Sequence, residues 1–144
     1  MSAWSDLDDE TRLEYIESVK CMHQLPSTID PTLAPGARSR YDDFETSHII
    51  NSRVFHATGS FFAWHRWFLY LWETAHREEC SFSRYQPYWD WARWADVPTE
   101  ENPLYDGSDT LMSGSGEYIA GRNGTLQPFP PAGRSSSHFH SSWY

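Results

Sequence analysis

Basic residues are scarce in this chain. Eleven lysines and arginines stand against twenty aspartates and glutamates, giving a formal charge of −9 and a pI near 5.1. No cationic cluster offers a footprint for a polyanion, so nucleic acid is excluded as an expected partner. Long apolar runs are missing too. None approaches the roughly 20 residues that cross a bilayer, and no membrane partner is expected. Met1 to Glu10 is polar and acidic with no apolar h-region, so no secretory leader is expected here, and localisation stays open. Two cysteines, Cys21 and Cys80, cannot build a disulfide framework; they make one bridge or two free thiols. Acidic residues vanish at the end: the 27 residues from Tyr118 hold none. The closing P-P-A-G-R-S-S-S-H-F-H-S-S-W-Y shows neither helical nor strand period. Residues 127–144 therefore read as a low-complexity, disordered tail behind one domain over residues 1–126.

What is present is aromatic. Phe, Trp and Tyr make up 17% of the chain, which argues for a packed core before the tail. Asp8 to Leu25 reads as a helix: Asp8 suits an N-cap, acids fill the first turn, and Leu13, Ile16, Val19 and Met22 recur every three residues. Pro26 ends it, and the Pro- and Gly-rich stretch to Ala37 is loop. Ser39-Arg40-Tyr41-Asp42 has the form of a capping box, opening a helix expected to reach Asn51. Arg53 to Ser60 is a connector with Gly59 as its break, and Ser60 or Thr58 caps a long helix over Phe61–Glu79. Beyond it Pro87 forbids regular helix, and Asn102-Pro103 and Asp106-Gly107 signal turns. The whole predicts a mainly α chain with long irregular loops.

The histidines carry the chemistry. His48 shares a helix face with Tyr41 and Phe44, at i, i+3 and i+7. With Phe61 set to zero, His65 falls at about 40°, Phe68 at about 340°, Trp72 at about 20° and Leu69 at about 80°, so His65 sits inside an apolar stripe. His56 comes from the connector between the two helices. A helix, a loop and a second helix can bring three imidazoles to one point, leaving a coordination position open. Imidazole suits copper and zinc alike, and spacing does not choose between them. The bland alternative is three unrelated histidines in an aromatic core. His76 lies eleven residues beyond His65, a rise of about 16.5 Å, so it cannot share an ion with it and is either structural or part of another site. His23 reads as solvated or dipole-stabilised, and His138 and His140 as solvated. Trp64, Trp67 and Trp72 read as core and pocket wall.

His48, the stretch H-A-T-G-S-F-F-A-W-H-R-W-F from His56, and Tyr88-Trp89-Asp90-Trp91 together resemble the first copper site of the tyrosinase and catechol oxidase family. The likeness is to the fungal members. R-L-E-Y-I-E-S-V-K-C-M-H-Q-L-P-S resembles their opening helix and S-R-Y-D-D-F-E-T-S-H-I-I-N the helix of the first ligand; coverage is roughly Trp4 to Leu126. The resemblance implies part of a type-3 copper four-helix bundle, with copper chosen over zinc and bound by His48, His56 and His65. It implies an oxidoreductase whose partners are a phenolic small molecule and O₂. Such enzymes oxidise o-diphenols to quinones and, in tyrosinases, first hydroxylate monophenols. The complete family fold holds two coppers, each able to pass one electron to O₂.

The resemblance covers one copper site. The family's second site has two histidines four apart on one helix and a third on a later helix; His23, His76, His138 and His140 do not have that form. One copper per chain is therefore expected, with negligible catechol oxidation by this polypeptide alone and no catalytic residue assigned beyond the metal. A non-catalytic copper-binding half-domain is the alternative, and a three-histidine zinc hydrolase a weaker third reading. A frameshift or retained intron is the expected origin of the tail, with a natural short form as the rival. Some family members carry a cysteine, thioether-bound to the second ligand, where this chain has Val54. A half-bundle should also leave Phe68, Leu69 and Trp72 short of partners, making the isolated chain marginally stable.

Overall fold

Asp8 starts the first helix by accepting the Thr11 backbone N–H at 2.8 Å, with Asp9 and Glu10 in the first turn. In the computed structural model of the chain, residues 1–112 are described. The expected tail over 127–144, His138, His140 and the end of the expected domain lie outside the described residues. The chain divides into two compact units, residues 1–88 and 89–144.

The first unit carries three α-helices: α1 (Asp9–Gln24), α2 (Arg40–Phe55) and α3 (Phe61–Cys80). On α1 the buried residues are Thr11, Tyr15, Ile16, Ser18, Val19 and Met22. Leu13, expected inward, is 42% exposed. The face is centred on Tyr15, Val19 and Met22, which places Leu13 on the far side of the helix. The helix stops before Pro26, and Leu25 and Ser27 then pair with Arg40 and Arg38 through backbone hydrogen bonds.

The capping box that opens α2 is complete: Ser39 Oγ accepts from Asp42 N, and Asp42 accepts from Ser39 N. One turn in, Asp43 is 2% exposed and receives Ser27 Oγ, Thr28 N, Thr28 Oγ1 and Arg40. Burial works against its charge, but these donors outweigh it and hold the carboxyl below its usual pKa. Arg40 also reaches Glu79 at 2.9 Å, tying the start of α2 to the end of α3. The helix runs to Phe55, one turn past the expected Asn51. Asn51 and Ser52, which favour helix ends, instead bond back to the Ser47 and Ile49 carbonyls and stay within the helix.

Met22, Phe44 and Ala75 form a core contributed by all three helices, with Tyr41, Phe68, Trp72 and Cys80 packed against it. Cys21 and Cys80 are joined, Cα to Cα 5.8 Å, which resolves the choice left open by the sequence in favour of one bridge. Ser81 caps α3 in the left-handed region at φ 59°.

The described part of the second unit, residues 89–112, is irregular, as the turn signals predict. Among the described residues its regular pieces are 3₁₀ turns at Trp91–Trp94 and Thr99–Glu101. Asn102 and Asp106 each accept a backbone N–H two residues on, and Gly107 takes a positive φ of 76°. Among the described residues the fold is mainly α, with no named strand, and no helix is long and apolar enough to cross a membrane.

Candidate metal centre

The end of α2, the connector and the second turn of α3 build one site. His48 lies on the inward face of α2, half-buried, with Tyr41 and Phe44 on the same face. His56 is the residue that caps α2, and the turn follows at once: Ala57 has φ 57°. The break is therefore Ala57, not Gly59. Thr58 folds back so that its Oγ1 donates to the Phe55 carbonyl at 2.8 Å, satisfying the end of α2. Ser60 occupies the N-cap of α3 without a side-chain cap bond, so neither expected residue caps the long helix. The first N–H of α3, on Phe61, donates instead to the Thr58 carbonyl at 3.2 Å.

His65 then comes one turn into α3. Its Nδ1 lies 2.8 Å from the carbonyl of Phe61. A carbonyl only accepts, so Nδ1 carries the proton and Nε2 presents its lone pair. The three ring centroids form a nearly equilateral triangle: His48 to His56 5.4 Å, His48 to His65 5.5 Å, His56 to His65 5.6 Å. One nitrogen from each ring lies within 4.8 Å of the others. Two nitrogens bound to one ion at about 2.0 Å are at most about 4 Å apart, so small imidazole rotations close the set. The donor set fits a borderline cation such as copper. Burial depresses the His48 pKa first, and the neighbouring His56 and His65 add to this against an opposing pull from Glu45, a shift that favours the neutral, ligating form.

Aromatic rings wall the triad. Phe61 lies 4.2 Å from His65 and 5.7 Å from His56, and Trp64 lies 5.1 Å from His65 and 5.7 Å from His48. Phe68 borders His48 and links it to Phe44 in the core. His56 is exposed while His48 and His65 are half-buried, so the site opens to one side.

Sequence reasoning placed all three histidines here. It missed Phe55, Ala57 and the Phe61 carbonyl, and gave Thr58 to the wrong helix; of those missed only Phe61, one helical turn before His65, had a spacing that could have flagged it. Trp67, expected in the core or a pocket wall, is 59% exposed and stacks on Tyr70. His76 is apart from the triad and structural: it is fully buried, with Nδ1 2.7 Å from Ser18 Oγ. His23, expected to be solvated or dipole-stabilised, sits in the last turn of α1, half-buried, and stacks on Tyr41 at 4.1 Å.

Known proteins resemble this chain closely. The family described as the common central domain of tyrosinase matches residues 38–142. Tyrosinase-like protein orsC of Emericella nidulans is 66% identical over 127 residues, covering 88% of this chain and 34% of its own. Tyrosinase P of Aspergillus terreus is 45% identical, covering 87% and 33%. N-acetyl-6-hydroxytryptophan oxidase ivoB of Emericella nidulans is 38% identical, covering 81% and 33%. A solved polyphenol oxidase variant from Thermothelomyces thermophila superposes with a TM-score of 0.77 at 41% identity, over 90% of this chain and 33% of that one. The chain thus spans about a third of the length of the relatives it matches.

Proposed function

The chain belongs to the tyrosinase family, and from that premise we propose that His48, His56 and His65 are the ligands of one copper ion in a type-3 copper oxidoreductase that oxidises o-diphenols to quinones with O₂. The observation that carries this reading is the convergence of one nitrogen from each ring within 4.8 Å. The family implies copper, a phenolic substrate and O₂; the catechol oxidase reaction and the copper pair are this proposal's own. When bound, copper supplies one electron per ion towards O₂, so a two-electron oxidation calls for a second copper beside this one.

The residues present have definite tasks. His65 is held in one tautomer by the Phe61 carbonyl, with Nε2 free to ligate. Phe61, Trp64 and Phe68 keep water from the inner side of the triad, strengthening interactions with charge there. The open side at His56 is where a flat phenol ring has access. Because the described residues hold one triad, the 144-residue chain alone is proposed to bind copper without oxidising catechol at a measurable rate.

The test is metal analysis of the purified chain with His65→Ala beside it. About one copper per chain, largely lost in the variant, is the expected result. Unchanged copper in the variant sinks the ligand assignment. Steady catechol turnover by the 144-residue chain overturns the need for a second copper, and a preference for zinc over Cu(I) supports a hydrolase instead.

A further inference from the structure

Phe55 is 1% exposed and its ring meets all three imidazoles. Centroid distances are 5.3 Å to His48, 4.5 Å to His56 and 4.8 Å to His65, at interplanar angles of 62°, 69° and 90°. Among the described residues no other aromatic ring contacts the whole triad: Phe61 meets two of the rings, Trp64 two and Phe68 one. Phe55 is itself fixed twice over. Trp64 stacks on it at 3.7 Å and 15°, and its carbonyl accepts the Thr58 hydroxyl.

We propose that Phe55 is a positioning residue that preorganises the three-imidazole site, its ring serving as the common wall that sets the rotation of His48, His56 and His65 before a metal arrives. This rests on the copper reading above. Hydrogen bonding does not do the task by itself: among the described residues, a ring hydrogen bond within the triad is made by His65 alone. The torsion that turns an imidazole about its Cβ–Cγ bond is broad and roughly two-fold, so a ring without a hydrogen bond must be held by packing. Edge-to-face contact with a flat ring is favourable and directional, and Phe55 offers it to three partners at once. A branched aliphatic side chain would fill much of the same volume but present no plane against which an imidazole can set. The sequence hides this, since Phe55 reads as an ordinary apolar residue beside a histidine.

The experiment compares the full 144-residue chain with Phe55→Leu, and with Val19→Ala as a control. Val19 is 3% exposed on α1, the helix that supplies none of the three histidines, so its truncation lowers stability through the core. Copper(II) titration followed by electron paramagnetic resonance, and imidazole-ring NMR of the metal-free chains, are read on all three. Phe55→Leu is expected to weaken copper binding about 10–100-fold, the usual cost of losing a group that orients ligands. It should also collapse the distinct ring signals of His48 and His56 in metal-free protein. Val19→Ala should keep parent affinity and ring signals at a lowered melting temperature. Parent-like affinity in Phe55→Leu overturns the proposal, as does an equal loss of affinity in Val19→Ala. The metal-free spectra separate this idea from the copper reading: unchanged ring signals in Phe55→Leu overturn positioning even where the parent binds copper as proposed. Collapsed signals support it even where the ligand assignment fails.

Discussion

Ser18 and His76, 58 positions apart, join α1 to α3 through a 2.7 Å contact between Ser18 Oγ and His76 Nδ1. Ser18 has one hydroxyl hydrogen and gives it to the Tyr15 carbonyl at 2.7 Å. Its oxygen must therefore accept, and Nδ1 of His76 carries the proton. Nε2 is buried with no hydrogen-bond partner. A second proton there would find no acceptor, and burial lowers the His76 pKa to about 4, against a weak opposing pull from Glu79.

A pH dependence follows. Unfolded, His76 titrates near 6.5; folded, near 4. Between these values the unfolded chain binds more protons, so stability falls as the pH drops through that window, by up to about 3 kcal/mol. Well above pH 6.5 both states are neutral and the effect is absent. Denaturant midpoints of the parent should fall between pH 7 and pH 4.5, and those of His76→Phe should fall less. Equal slopes for the two chains would remove His76 from the account.

What could be read in advance divides along physical lines. Caps are local, so Asp8 and the Ser39–Asp42 box were legible from neighbouring residues, as was the extent of α3 from its apolar period. The triad was legible because two of its members sit on helix faces whose direction follows from 3.6-residue periodicity. The Cys21–Cys80 bridge and the Ser18–His76 pair were not, because each joins α1 to α3 and depends on how those helices approach. Thr58 was misassigned because a hydroxyl between two helices can serve either, and the positive φ at Ala57 turns it towards α2. Leu13 shows the limit of counting by threes: the same helix offers a second face, and Tyr15 and Ser18 won it by finding partners.

The disulfide sets a second expectation. It closes a loop of 59 residues and ties the end of α1 to the last residue of α3. Constraining a loop of that size removes unfolded-chain entropy worth about 2–4 kcal/mol. Replacing both cysteines by serine should lower the melting temperature by roughly 10 °C. Thiol titration of the denatured parent should give no free thiol before reduction and two after it. A melting temperature unmoved by the double substitution would contradict this.

Ala57 should be sensitive to shape more than to size. Its backbone is left-handed, a conformation that costs a residue with a Cβ about 1–2 kcal/mol. Glycine removes that strain but loosens the unfolded chain by about 0.4–1 kcal/mol, so Ala57→Gly should change stability by less than about 1 kcal/mol. Valine is branched at Cβ and poorly tolerated there. Ala57→Val should destabilise by roughly 2 kcal/mol and weaken copper uptake, because the turn that presents His56 must move. Thermal melts and copper titration of both variants test this; a valine variant matching the parent in both would show that the turn does not position His56.

The last expectation concerns surface. The sequence pointed to Phe68, Leu69 and Trp72 as the residues left without partners. Leu69 is exposed at 42%, as expected, but Phe68 and Trp72 are half-buried against Phe44, at 5.7 and 5.0 Å between ring centroids. Further exposed apolar residues include Trp67, Tyr70 and Leu71 on α3 at 59%, 55% and 40%, and Ile50 and Val54 on α2 at 60% and 71%. Trp67 and Tyr70 stack on each other, so that face of α3 is a joined patch and not scattered single residues. Soluble monomers rarely show large patches of this kind, because water contact with each such side chain forgoes about 1.5–3 kcal/mol of burial. The 144-residue chain should therefore self-associate as its concentration rises, seen as a growing weight-average mass in sedimentation. Trp67→Glu with Leu71→Lys should restore monomer while leaving the melting temperature nearly unchanged, since neither side chain supports the core. A parent chain that stays monomeric at about 100 μM and melts sharply above about 60 °C would refute the expectation. A double variant that unfolds would show that the patch is part of the packing and not an open surface.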